Sequence, residues 1–184
     1  PQQTANTLRY VLEAEPATLD PAKSTAIPES LAELQLFEGL TRLDAKDRPL
    51  PGVATQWEIS ADGLRYIFHL RPDARWSNGE ALTAHDFVYS WRRALDPETA
   101  SENSYMLYAL KNGQAFNEKE AAPEDVGVRA LDERTLEVTL EKPTAYFLSL
   151  ASFHAFYPVH RASIEKAPES WSSQAETLIG NGPF

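Results

Sequence analysis

The segment Leu64–Arg71 constrains the fold more than any other. Leu64, Tyr66, Phe68 and Leu70 alternate there with Arg65, Ile67, His69 and Arg71. A period of two marks a strand with one apolar face and one mixed face. Asp62-Gly63 just before it reads as a hairpin turn leading back to Trp57-Glu58-Ile59. A second hairpin is predicted where Val126, Val128 and Ala130, then Leu136, Val138 and Leu140, alternate around Asp132-Glu133-Arg134. A helix between the hairpins offers the matching apolar face. Thr83 caps it with Asp86 in the capping-box position. Phe87, Val88, Trp91, Ala94 and Leu95 line one side, and Asp96-Pro97 ends it.

The flanks are less regular. Leu8–Leu12 reads as a short strand and Pro16–Pro28 as a loop, with Pro28 suited to a first helical turn. Leu31, Leu34 and Phe37 follow at helical spacing, with Gly39 as the expected C-terminal cap. Pro49 and Pro51 mark another loop. Asn103–Phe116 is expected to be partly helical, and Ala145–Leu150 and Ser163–Lys166 to be short helices. Strands pair locally without regular βαβ alternation, so the predicted class is α+β, with mixed or antiparallel sheets and helices. No Rossmann or P-loop glycine pattern occurs.

Composition narrows function by exclusion. With 27 acidic and 17 basic residues the formal charge is -10. That disfavours nucleic acid, which is held by clustered Lys and Arg, and docking on anionic lipid. The absence of cysteine closes thiolate-zinc, disulfide and cysteine-nucleophile chemistry. No apolar run approaches the roughly 20 residues that span a bilayer. Pro1–Asn6 has neither the basic nor the apolar region of a signal peptide, so none is expected.

Catalytic constellations are also missing. His154 and His160 are six apart, and His69 and His85 lie on a mixed strand face and in a first helical turn. None has the i, i+4 spacing of a helical zinc site. Ser30, Ser77 and Ser90 lack a nucleophile elbow. Glu137, Glu141, Asp132 and Glu133 read as solvated surface, and Phe87 and Trp91 as core. No catalytic residue, metal or cofactor is expected. What remains is binding without covalent chemistry. Ser24-Thr25-Ala26-Ile27 has small residues that admit another backbone and an apolar side chain to touch it. An ordinary loop before a helix is the alternative.

A series of motifs now points to a family. It runs Leu19-Asp20-Pro21, Ile27-Pro28-Glu29-Ser30, Phe37-Glu38-Gly39-Leu40 and Pro51-Gly52-Val53-Ala54. It continues through Trp76-Ser77-Asn78-Gly79, Thr83–Arg93, Asp96-Pro97 and Ala100-Ser101. Together they resemble the oligopeptide-binding proteins that serve ABC importers outside the cytoplasmic membrane. The resemblance implies a two-lobed periplasmic binding fold of which this chain is an incomplete part. Residues 1–37 would be the first piece of the ligand-binding lobe, 38–160 an inserted α+β subdomain, and 161–184 the start of the return to the lobe. It implies ligand contacts at Thr25, Ala26 and Ile27 and, after the Asp-Pro element, at Asn103. It further implies an oligopeptide ligand, membrane-embedded ABC permease partners, a monomer, and a periplasmic or lipid-anchored location. Relatives tuned to a dipeptide, a murein peptide, haem or a nickel chelate, or a carbohydrate-active hydrolase, are the alternatives.

Overall fold

The computed structural model describes residues 11–183. Its centre is a four-stranded antiparallel sheet in the order β3-β4-β6-β5. The strands are β3 (Ala54–Ile59), β4 (Arg65–Leu70), β5 (Val128–Ala130) and β6 (Thr135–Thr139). Both predicted hairpins form, and the alternating segment lies inside the sheet, paired on both edges. Trp57 faces Phe68, Tyr66 faces Val138, and Val128 faces Val138. Gly63 turns the first hairpin with a φ of 70°, where a side chain would be strained.

Helix α2 (Ala84–Leu95) lies on this sheet. Its start is set by the carboxylate of Asp86, which accepts from the Thr83 N–H at 2.7 Å. Phe87, Trp91, Ala94 and Leu95 are buried with Phe68, Val128, Leu136 and Val138 in one continuous core. A small hairpin of β1 (Thr41–Leu43) and β2 (Pro49–Pro51) stands beside the sheet. The remaining helices are α1 (Ile27–Leu36), α3 (Gly113–Asn117), α4 (Phe147–Leu150) and α5 (Arg161–Lys166). A 3-10 segment, Ser104–Ala109, supplies most of the helicity expected after Asn103. A second cluster joins Phe37 to Tyr157, Val159, Ile164 and Trp171, so residues distant in sequence close around the end of α1.

Four expectations at the flanks are corrected, and the first is that Pro49–Pro51, expected as loop, is strand β2 paired with β1. Of the Leu8–Leu12 strand, residues 8–10 lie outside the described residues, and Val11 and Leu12 belong to no strand. Gly39 does not cap α1: the helix ends at Leu36, and Phe37 leaves it in an extended conformation. The buried cluster around Phe37 pulls the chain out before Gly39 is reached. Leu31, Leu34 and Phe37 do not form the buried stripe of α1. Leu34 is exposed, and the helix buries Glu29 and Glu33 instead.

Candidate functional site

The loop before α1 is tied down from its first residue. The Asp20 carbonyl accepts from the N–H groups of Lys23 and Ser24 at 2.8 and 3.0 Å. The buried Asp20 carboxylate accepts from both terminal nitrogens of Arg93 on α2, at 3.0 and 2.6 Å. Ser24 is buried, whereas Thr25, Ala26 and Ile27 are exposed, Ile27 by 74%. The loop thus presents three consecutive residues from a fixed base.

Glu29 shapes that loop. One of its oxygens accepts from the N–H groups of Thr25 and Ala26 at 2.6 and 2.8 Å, and the other from Ala17 at 3.2 Å. The Thr25 and Ala26 amides are therefore already engaged. What these two residues present is side chains and small size rather than free donors. Ala26, with φ -110° and ψ 158°, is the extended residue, and the helix already begins at Ile27. A proline disfavours helix in the residue before it, but the Glu29 carboxylate captures the two preceding amides and starts the helix one residue early.

Two carboxyls one turn apart on the buried side of α1 hold opposite charge states. Burial pushes Glu29 up, but the backbone N–H bonds from Ala26, Thr25 and Ala17 outweigh it and hold the group below the usual range. Burial dominates at Glu33 and raises it to about 8, despite the Ser24 hydroxyl donating to it at 3.0 Å. Asp20 and Glu29 add to the rise by repulsion. One Glu33 oxygen has no partner within the described residues. Glu33 is thus a neutral acid near neutrality. Its raised folded value means stability is full at low pH and falls as pH rises from about 4.5 to about 8. His154, lowered by burial, acts with the opposite sign and only as pH falls through its ordinary value of 6.5. Between pH 6.5 and 8, above the His154 window, the Glu33 effect amounts to up to about 2 kcal/mol. Urea unfolding of the parent should show that loss, and Glu33→Gln should flatten it. Parallel curves for the two proteins would count against a neutral Glu33.

Asn103 and His154 close the back of the loop. The Asn103 side-chain amide donates to the Ser24 carbonyl at 2.8 Å and lies 3.2 Å from Nε2 of His154. Nδ1 of His154 lies 3.2 Å from the Ser30 hydroxyl and 3.9 Å from Glu33. In front, Ile27 and Leu34 are exposed and seven residues apart, hence on one face of α1. Leu34 and Phe153 line an open groove of about 860 Å³ that runs on past Phe37, Leu43 and Arg71. A second groove of about 580 Å³ follows α2 beside Tyr89 and Arg92. Two of its cations are already paired, Arg93 with Asp20 and Arg161 with Glu165. Two other histidines have structural partners: His69 meets Glu58, and His160 is buried between Glu80, Ser163 and the Trp76 ring, while His85 is exposed beside the second groove.

The sequence matches the model of the bacterial extracellular solute-binding proteins, family 5, middle region, over residues 48–184. The chain belongs to this family. It is 43% identical to the periplasmic oligopeptide-binding protein OppA of Escherichia coli, over 93% of this chain and 32% of that protein. It is also 43% identical to the periplasmic murein peptide-binding protein MppA of Escherichia coli, over 92% of this chain and 32% of that protein. The structure of Listeria monocytogenes OppA bound to peptide superposes with a TM-score of 0.88 at 40% identity, covering 91% of this chain and 33% of that one. The chain thus spans about a third of the length of these relatives.

Within this family 5 solute-binding chain, the loop bearing Thr25, Ala26 and Ile27 is exposed, and Asn103 stands behind it. Asn103 is turned inward to the loop's own backbone. Glu29, Glu33, Ser30, His154 and Leu34 were not singled out from sequence as site residues. The available signal was a pair of glutamates four apart on a helix whose Ile27, Leu31 and Leu34 fall on another face. Among the described residues no helix is long and apolar enough to cross a membrane.

Proposed function

We propose that this chain forms one wall of a cleft that captures oligopeptides outside the cytoplasmic membrane for delivery to an ABC importer, without chemically changing them. The observation that carries this reading is the inverted helix α1, which buries two carboxyls and exposes Ile27 and Leu34. A helix folding for its own sake would do the reverse. The exposed apolar strip borders a groove, and such strips mark places where another molecule docks. The peptide named in the Listeria structure supports the ligand class.

In this reading residues 1–37 and 161–184 belong to a ligand-binding lobe, and 38–160 to an inserted α+β subdomain. Thr25, Ala26 and Ile27 touch the ligand, and Asn103 acts from behind them. The second lobe of a two-lobed fold closes over the peptide, and membrane-embedded permease subunits receive it. The protein works as a monomer, in the periplasm or tethered by lipid.

Ile27→Asp, made in the protein at the full length of its relatives, is the test. Losing one buried isoleucine contact of about 1.5–3 kcal/mol should weaken peptide binding roughly ten- to hundredfold. Stability should change by no more than about 0.5 kcal/mol, because the side chain is exposed. Calorimetry with short mixed peptides, beside a thermal melt, reads both. Undiminished affinity in the variant would remove Ile27 from the cleft.

A further inference from the structure

We propose that Asn103, His154 and Ser30 form a hydrogen-bonded brace through which the α+β body sets the conformation of the ligand loop Ser24–Ile27, and that protonating His154 opens it. The proposal rests on the peptide-cleft reading for its consequence but not for its geometry.

The proton positions follow from the partners. The Ser24 carbonyl can only accept, so the Asn103 atom 2.8 Å from it is the amide nitrogen. The same nitrogen faces Nε2 of His154 at 3.2 Å, so Nε2 accepts and the ring proton resides on Nδ1. Nδ1–H then donates to the Ser30 hydroxyl at 3.2 Å, which donates in turn to the Ala26 carbonyl at 3.3 Å. One asparagine and one histidine thus grip the loop at Ser24 and at Ala26, from segments 79 and 124 residues away in the pairs they make.

A second proton on His154 breaks the pattern. Nε2–H would face the Asn103 amide, donor against donor. Turning the amide over would satisfy the ring but set its oxygen against the Ser24 carbonyl. One contact is lost either way. The titratable groups facing the ring are Glu33 and Glu29, both on α1. Glu33 is protonated near neutrality and offers no charge to hold an imidazolium; burial lowers His154 and outweighs the attraction of the ionised Glu29, which raises it. The brace is therefore closed at neutral pH.

The test is hydrogen exchange at the Thr25 and Ala26 amides in the ligand-free, full-length protein, corrected for intrinsic rates, at pH 7.5 and at an acid pH below the His154 titration, which is located from its ring resonances by NMR. Protection in the parent should fall by about tenfold in acid, the worth of one hydrogen bond. His154→Gln, which cannot titrate, should show no such fall. Asn103→Asp supplies an acceptor to Nε2–H, and should lose loop protection already at pH 7.5. Equal protection of the parent at both pH values would overturn the proposal, whether or not a variant folds. Parent-like protection in Asn103→Asp would overturn it too. Calorimetry with peptides under the same conditions separates the two readings. Affinity that falls with loop protection ties the brace to the cleft. Protection that falls while the parent binds no peptide at either pH leaves the brace standing and sinks the peptide reading.

Discussion

Replacing Trp91 with alanine is expected to lower stability by about 3–5 kcal/mol, the range for removing a buried aromatic side chain. Trp91 is fully buried at the contact between α2 and the segment around Phe156. Its ring meets Phe87 and Phe156 edge-on, with centroids 6.2 and 5.1 Å away. Its indole N–H donates to the Phe156 carbonyl at 2.8 Å. Alanine would leave a cavity between Phe87 and Phe156 and also strand that carbonyl. Trp91→Phe should recover much of the packing but not the hydrogen bond, and Trp57→Ala, on a half-buried outer strand, should cost less. Urea unfolding of the three variants gives the order. A Trp91→Ala loss below about 1 kcal/mol would mean that the core does not close on this ring.

Asp20→Ala should cost a similar amount for a different reason. The Arg93 side chain is only 13% exposed and is held by both carboxylate oxygens of Asp20. Removing one member of a buried pair leaves the other charge unpaired, typically at about 3–5 kcal/mol. The Trp171 ring, 5.9 Å from the guanidinium, is a weak substitute for a carboxylate. The variant keeps the Asp20 carbonyl of the turn but loses the carboxylate that accepts from the Ala22 N–H at 3.1 Å, so the proposed peptide binding should suffer along with stability. A double-mutant cycle with Arg93→Leu isolates the pair, because removing the stranded cation should restore part of the loss. Strict additivity of the two single changes would show that the pair is not coupled.

The central sheet was legible in the sequence because its burial follows the period of its side chains. In β4 the buried residues are Tyr66, Phe68 and Leu70, and no other packing satisfies that alternation. The α2 start was legible for an equally local reason, since Thr83 and Asp86 need only each other. Helix α1 was not. Its leucine spacing announces a core face, but the side that turns inward is chosen by bonds to Ser24 and the loop amides just before the helix and by the distant His154. Burial on that inward side sets the state of Glu33, which no local pattern records. Thr25, Ala26 and Ile27 were proposed from the small residues, the apolar Ile27 and the family resemblance, and the structure leaves all three exposed. Asn103 was placed near the loop by family resemblance, but its inward orientation depends on a carbonyl 79 residues earlier.

The place where the chain returns to α1 has a consequence for how such a protein can be cut and rejoined. The Asn181 side chain bonds both ways to the Glu38 backbone, at 3.1 and 2.9 Å, and the Gly182 N–H donates to the Leu36 carbonyl at 2.9 Å. Gly180 runs so near Leu36 that a Cβ would collide with its carbonyl oxygen. The outgoing and returning strands of chain therefore pass through one gate, side by side. The stretch between them leaves and returns at that gate, and it is also tied to the segment before it by the Asp20–Arg93, Ser24–Asn103 and Ser30–His154 contacts. Excising it would leave two ends a single hydrogen bond apart, a gap that a short turn can bridge.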